Sequence, residues 1–185
     1  MTKSRTILGI DPGTNILGFG IVRVDAGGKP NFVDMGVLDL RKIESPYDKL
    51  EVISEKVGAL CDLHHPDDLA IESPFYGKNA QVIFKHGRAQ GAAMVAAISH
   101  GLRVYEYAPR KAKMAICGNG AASKEQVCLI VQRTLGIEIA SKYLDATDAL
   151  ALAMCHYYQL TNPLTSTAST STWEKFIAAN PGRVK

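Results

Sequence analysis

The order of the short apolar runs constrains this chain more than any other feature. Thr6–Asp11 reads as a strand and ends in Asp11-Pro12-Gly13-Thr14, a turn signal. Gly18–Val24 and Phe32–Leu40 read as two further strands, separated by the turn-like segment from Asp25 to Pro30. Connections this short leave no room for a parallel crossover, so the three strands form an antiparallel meander. The period then changes. From Pro46, placed near a helix start, Leu50, Ile53, Val57, Leu60 and Cys61 recur on one face at helical spacing. Asp68–Glu72 is a short buried strand, Ser73–Asn79 a loop, and Ala80–His100 a long helix rich in Ala and Gly, as if packed tightly against a neighbour. Arg103–Tyr107 is a fifth strand, followed by helices at about Arg110–Cys117, Lys124–Leu135 and Asp145–Tyr158. The order βββαβαβ followed by helices predicts an α/β fold. Its sheet is five-stranded and mixed, three antiparallel strands then parallel strands, flanked by helices.

At 185 residues, with 46% hydrophobic and 21% charged residues, the chain has the material for one globular core rather than a disordered coil. Residues 1–162 are read as that domain. Residues 163–185 are a Ser/Thr-rich linker (Thr165–Thr172 is almost wholly Ser, Thr and Ala) and a short tail, Trp173–Lys185. No apolar run approaches the roughly 18 residues of a membrane span, and the N-terminal residues lack the apolar stretch of a secretory signal. Cys61, Cys117, Cys128 and Cys155 form no CxxC pair and read as reduced thiols. The expectation is a cytoplasmic protein with no membrane partner.

The net charge of +3 conceals an asymmetry. From Asp25 to Glu72 there are 11 acidic and 5 basic residues. From Ser73 to Lys124, Glu106 is the only acid against Lys78, Lys85, Arg88, Arg103, Arg110, Lys111, Lys113 and Lys124. Such a distribution suits either a solvated basic surface or a face made for a polyanion.

Carboxylates stand at the ends of the elements. Asp11 closes the first strand and Glu72 the fourth, after the apolar Leu69-Ala70-Ile71, where a β-branched or aromatic residue is usual. Asp145 and Asp148, three apart, share one face of a helix start. Each has a purely structural alternative. Asp11 could cap its turn, Asp145 could be a helix N-cap, and Asp148 a first-turn acid favoured by the dipole. Glu72 is harder to place in that way, because an acid ending a buried strand needs a partner. Four carboxylates from three segments are also what hard divalent ions require when they activate water against a phosphodiester.

The local wording is more specific than any single acid. Ile7-Leu-Gly-Ile-Asp-Pro-Gly-Thr14 with Gly18-Phe-Gly20, then Ala70-Ile-Glu-Ser-Pro-Phe75 with Lys78-Asn79, resembles the RuvC family of crossover junction endodeoxyribonucleases. Gly118-Asn-Gly-Ala-Ala-Ser-Lys-Glu-Gln-Val127 and Asp145-Ala-Thr-Asp-Ala-Leu150 continue the resemblance in the right order, from about Ile7 to Tyr158. It implies a ribonuclease-H-like fold, a homodimer, dependence on Mg²⁺ with Mn²⁺ as a substitute, and paired symmetric nicks across a four-way (Holliday) DNA junction. It also implies work beside the RuvAB branch-migration motor in recombination and repair.

Carried over position by position, the resemblance makes Asp11, Glu72, Asp145 and Asp148 the metal-binding tetrad. The family varies between Asp and His at the position of Asp145. Lys113 and Lys124 match basic residues that contact the DNA backbone near the cut, and Lys78 joins them as a DNA-binding position. Phe75 matches an aromatic that stacks on a base at the junction, against the plainer reading of a core aromatic. The helix from Ala80 matches the dimer element. Two rivals remain beside this reading. The strand-Asp-Pro-Gly-Thr-strand pattern also resembles the phosphate loop of actin-like and sugar-kinase-like ATPases, which need a second such loop that this chain lacks. A catalytically inactive junction-binding protein is the other.

Overall fold

A computed structural model describes residues 4–74, 79–139 and 144–161. Strands β1 (Arg5–Asp11), β2 (Ile16–Val24) and β3 (Pro30–Asp39) form the antiparallel meander. They are followed by α1 (Pro46–His64), β4 (Asp68–Glu72), α2 (Ala80–Ser99), β5 (Arg103–Tyr107), α3 (Pro109–Cys117), α4 (Lys124–Leu135) and α5 (Leu144–Thr161). The sheet order is β3-β2-β1-β4-β5, with β4 parallel to both β1 and β5. The expected mixed sheet is therefore present, with strand and helix ends within about two residues of those read from the sequence, except α5, which runs three residues further. Among the described residues no helix is long and apolar enough to cross a membrane.

Strand alternation divides the core in two. Leu8, Ile10, Leu69 and Ile71 face α1 and α2, packing with Ile53, Val57, Leu60, Ala89, Ala93 and Ala97. Ile7 and Ala70 face the other way, against Val127, Val131, Leu150, Ala153 and Met154 of α4 and α5. This parity sends Asp11, two residues after Gly9, and Glu72, two after Ala70, to the α5 face. Ala89, Ala93, Ala96 and Ala97 of α2 are thus spent inside the chain, whereas Gly87 and Gly91 are left on its outer face. Its exposed stripe is different: Phe84, Val95 and Ile98 are 69%, 63% and 58% exposed, and no described residue comes within 4 Å of a Cβ built on Gly87 or Gly91.

Glycines set how closely α5 lies on the sheet. A Cβ on Gly9 would run into the carbonyl of Ala149, one on Gly18 into that of Asp145, and one on Gly20 would sit 2.6 Å from Leu150 Cγ. The bare backbone of β1 and β2 lets the helix rest directly on it, and the helix start is brought to the end of β1.

Candidate active site

Four acids meet at one edge of the sheet. Asp11 pairs with Gly18 at the last rung of β1–β2, and Glu72 ends β4 one strand away. The close seating of α5 on Gly18 brings Asp145 and Asp148 to the same edge from above. α5 begins at Leu144, so Asp145 lies within its first turn and is not its N-cap. A cavity of about 250 Å³ is lined by Asp11, Glu72, Asp148, Lys113 and Lys124. A larger, mostly apolar hollow of about 440 Å³ shares only Glu72 with the acids, and Pro12, Pro74, Ile83, His86, Gln90 and Pro109 are among its walls.

The cations reach the acids from α3 and α4. Gly118 closes α3 in the left-handed conformation at φ 66°, and Ser123 opens α4 with a reciprocal capping box to Gln126. This geometry fixes Lys124 at the first position of α4, against the helix dipole. Its ammonium is held instead by Asp148 Oδ2 at 2.6 Å and Asp145 Oδ1 at 3.0 Å. Those contacts raise the Lys124 pKa although burial alone would lower it. Lys113, half-buried on α3, lines the same cavity and makes no ion pair among the described residues.

The charge balance at this edge stays negative. Burial, followed by the fields of Glu72 and Asp148, pushes the Asp11 carboxyl up to about 7, against a relieving contribution from Lys124. Burial and Asp148 also raise Glu72, offset in part by Lys124 and Lys113. Among the described residues no three acidic, histidine or cysteine side chains stand together closely enough to hold an ion as they are. The donor set still fits a hard divalent cation in kind: every donor is a carboxylate oxygen, and the cluster carries more negative charge than Lys124 compensates.

Of the residues singled out from sequence, the fold therefore gathers Asp11, Glu72, Asp145, Asp148, Lys113 and Lys124. Phe75 and Lys78 lie outside the described residues. Two features were missed. Gln90 of α2 is buried and donates to the Glu72 carbonyl; the available signal was a glutamine on the alanine face of its helix. Asp68, wholly buried at the far end of the same sheet face, meets Arg103 at 2.8 Å, His156 at 3.3 Å and Arg5 at 3.4 Å. Its signal was an acid opening an apolar strand.

Comparison with known proteins agrees with this architecture. The family model described as crossover junction endodeoxyribonuclease RuvC matches residues 7–156. The crossover junction endodeoxyribonuclease RuvC of Bacteroides fragilis is 51% identical over 99% of this chain and 97% of its own length. That of Christiangramia forsetii is 46% identical over 100% and 95%. Among solved structures, Thermus thermophilus RuvC superposes with a TM-score of 0.74 at 34% identity, covering 84% of this chain and 95% of that one. The same protein in complex with a Holliday junction substrate gives 0.77 at 33%, covering 84% and 94%. The fold is ribonuclease-H-like. The chain belongs to the RuvC family of crossover junction endodeoxyribonucleases.

Proposed function

We propose that this protein resolves four-way DNA junctions by hydrolysing one phosphodiester in each of two strands. The observation that carries the reading is the convergence of Asp11, Glu72, Asp145 and Asp148 on one sheet edge, where burial and then the neighbouring carboxylates push the Asp11 pKa up to about 7. These four acids hold Mg²⁺, for which Mn²⁺ substitutes. Ions held there would supply activation of a water and charge stabilisation for the leaving oxygen. Lys124 orients Asp145 and Asp148, and Lys113, free of carboxylate partners among the described residues, is placed to meet a backbone phosphate.

Paired nicks need two such sites. The exposed stripe of Phe84, Gly87, Gly91, Val95 and Ile98 follows helical spacing down one face of α2, and a second copy of the chain packs there. Phe75 stacks on a base at the crossover and Lys78 holds DNA beside it. Residues 1–162 form the nuclease domain, residues 163–185 a linker and tail, and the protein acts in the cytoplasm beside the RuvAB motor.

The test is cleavage of a synthetic four-way junction in Mg²⁺. Wild type releases nicked duplexes, whereas Glu72→Gln and Asp148→Asn bind the junction with little change and do not cut. A wild-type protein that binds and never nicks would establish the inactive junction-binding alternative instead.

A further inference from the structure

Register reveals a gap in the sheet at the catalytic edge. The amide of Ser73 donates to the Tyr107 carbonyl at 3.0 Å, so Ser73 directs its backbone groups toward β5. Glu72, one residue earlier, therefore directs its own toward β1. Parallel pairing sets Gly9 opposite Ala70 and Ile10 opposite Ile71, and the next ladder donor for the Glu72 carbonyl would be the N–H of residue 12. Residue 12 is proline and has none. A carbonyl left without a partner here would be costly.

Gln90 fills the gap from another layer. Its side-chain amide donates to the Glu72 carbonyl at 3.1 Å and to Glu106 Oε1 at 2.7 Å, and only 5% of the residue is exposed. Neighbouring positions on that face of α2 are Ala89, Ala93, Ala96 and Ala97, all apolar and packed into the core. Gln90 is the polar exception among them, placed where the ladder lacks a donor.

We infer that Gln90 is a positioning residue: it fixes the end of β4, and with it the Glu72 carboxylate, for metal binding. The inference rests on the reading of Glu72 as a metal ligand. It also gives α2, whose outer stripe is exposed, a direct bond to the catalytic strand. Residues that orient the ligands of a metal commonly contribute about 10–100-fold to its affinity.

The experiment compares full-length wild type, Gln90→Met, Gln90→Glu, Gln90→Lys and Glu72→Gln. Bound Mn²⁺ is counted from loss of the free-ion paramagnetic resonance signal, and junction affinity is measured by fluorescence anisotropy in EDTA. Gln90→Met keeps the volume and removes the donor. It should bind Mn²⁺ about 10-fold more weakly and bind the junction within twofold of wild type. Gln90→Glu keeps the shape but offers at most one proton, shared with Glu106, where the amide offers two; it should also bind Mn²⁺ more weakly than wild type and serves as the deciding variant if Gln90→Met does not fold. Gln90→Lys, which still donates to both acceptors, should recover most of the affinity. Unchanged Mn²⁺ binding in Gln90→Met or Gln90→Glu, or a Gln90→Lys variant as weak as they are, overturns the inference. Unchanged Mn²⁺ binding in Glu72→Gln overturns the underlying reading of the site instead.

Discussion

Asp11 and Asp68 occupy opposite ends of one sheet face, both beneath α5, and their surroundings differ in sign. Around Asp11, burial and then the fields of Glu72, Asp148 and Asp145 push the carboxyl up to about 7, against a relieving contribution from Lys124. Asp68 is fully buried, and burial by itself would raise it too. His156, Arg5 and Arg103 more than offset that and hold it below the usual carboxylate range. Tyr107 completes the second cluster: its hydroxyl lies 2.6 Å from His156 Nδ1. On the other side of the ring, His156 Nε2 stands 3.3 Å from Asp68 Oδ2, at ion-pair distance though off hydrogen-bond geometry. One end is a settled network that ties β4, β5 and α5 together. The other is left short of positive charge, the state expected of a site that takes up a cation.

The sharpest way to break this contrast is to exchange the outcomes of mutation. Asp11→Asn should reduce junction cleavage by at least about 10³-fold, as loss of a group on which the metal chemistry depends, while the protein melts no lower than wild type. Asp68→Ala strands Arg103 and His156 around a buried gap and should cost about 3–5 kcal/mol of stability. The folded fraction should cut at a rate close to wild type. If Asp68→Ala folds normally and fails to cut, the far cluster belongs to the chemistry and the two ends are not separate in function.

A smaller effect lies in the pH dependence, where the two ends have opposite signs. The folded pKa of Asp11 is above its unfolded value, so the folded state binds the proton more tightly. Its contribution is favourable at low pH and is lost as pH rises from about 4 towards about 7. Asp11→Asn removes that loss. Its advantage over wild type, measured by chemical denaturation in EDTA, should grow across this window and level off above it. Partial exposure of Asp11 reduces the expected gain to roughly 2 kcal/mol. Asp68 has a lowered folded pKa, so its contribution is present above about pH 4 and fades below. The deficit of Asp68→Asn should accordingly shrink on acidification. Parallel pH profiles for the two variants would contradict the assignment.

Most of the fold was legible because hydrophobic period changes from two to 3.6 at each boundary, and turn residues mark the joins. Asp11 and Glu72 were legible as acids ending apolar strands. What lay beyond reading was contact between distant segments. That Gly18 would support the carbonyl of Asp145 depends on α5, more than 120 residues later in the sequence. Likewise Asp68 and His156 are adjacent only because α5 crosses β4. Composition alone also left the two faces of α2 unseparated: Ala89, Ala93, Ala96 and Ala97 pack on α1 and the sheet, whereas Phe84, Val95 and Ile98 are exposed on the other face.

The seating of α5 gives the next prediction. Gly18→Ala sets a methyl against the Asp145 carbonyl and must lift the helix start. Overpacking of this kind costs about 1–3 kcal/mol, and here it should also raise the Mg²⁺ concentration needed for half-maximal cleavage. Gly27→Ala, where a Cβ would meet only the Asp25 side chain at 3.3 Å, is the control and should leave that concentration unchanged. A Gly18→Ala enzyme with a lower melting temperature and an unaltered metal requirement would mean that helix seating does not set the site.

The smallest effect separates the cations at the two ends. Arg103 is 55% exposed at its side chain, yet its guanidinium is engaged by Asp68, with Nε at 3.0 Å and Nη2 at 2.8 Å. Lys113 lines the acidic cavity with no carboxylate partner among the described residues, so its charge is available to a phosphate. Each phosphate contact releases counterions, and losing one lowers the slope of log K against log salt by roughly 1. Lys113→Ala should therefore weaken junction binding most at low salt, flatten the slope by about that amount, and leave melting unaffected. Arg103→Ala should do the reverse, lowering the melting temperature while the salt slope stays as in wild type. Both can be followed on one junction by titration between 50 and 200 mM salt, a range over which several phosphate contacts change affinity by orders of magnitude. If Arg103→Ala flattens the slope as Lys113→Ala does, DNA runs past both ends of the sheet. The Asp68 network would then serve the substrate as well as the fold.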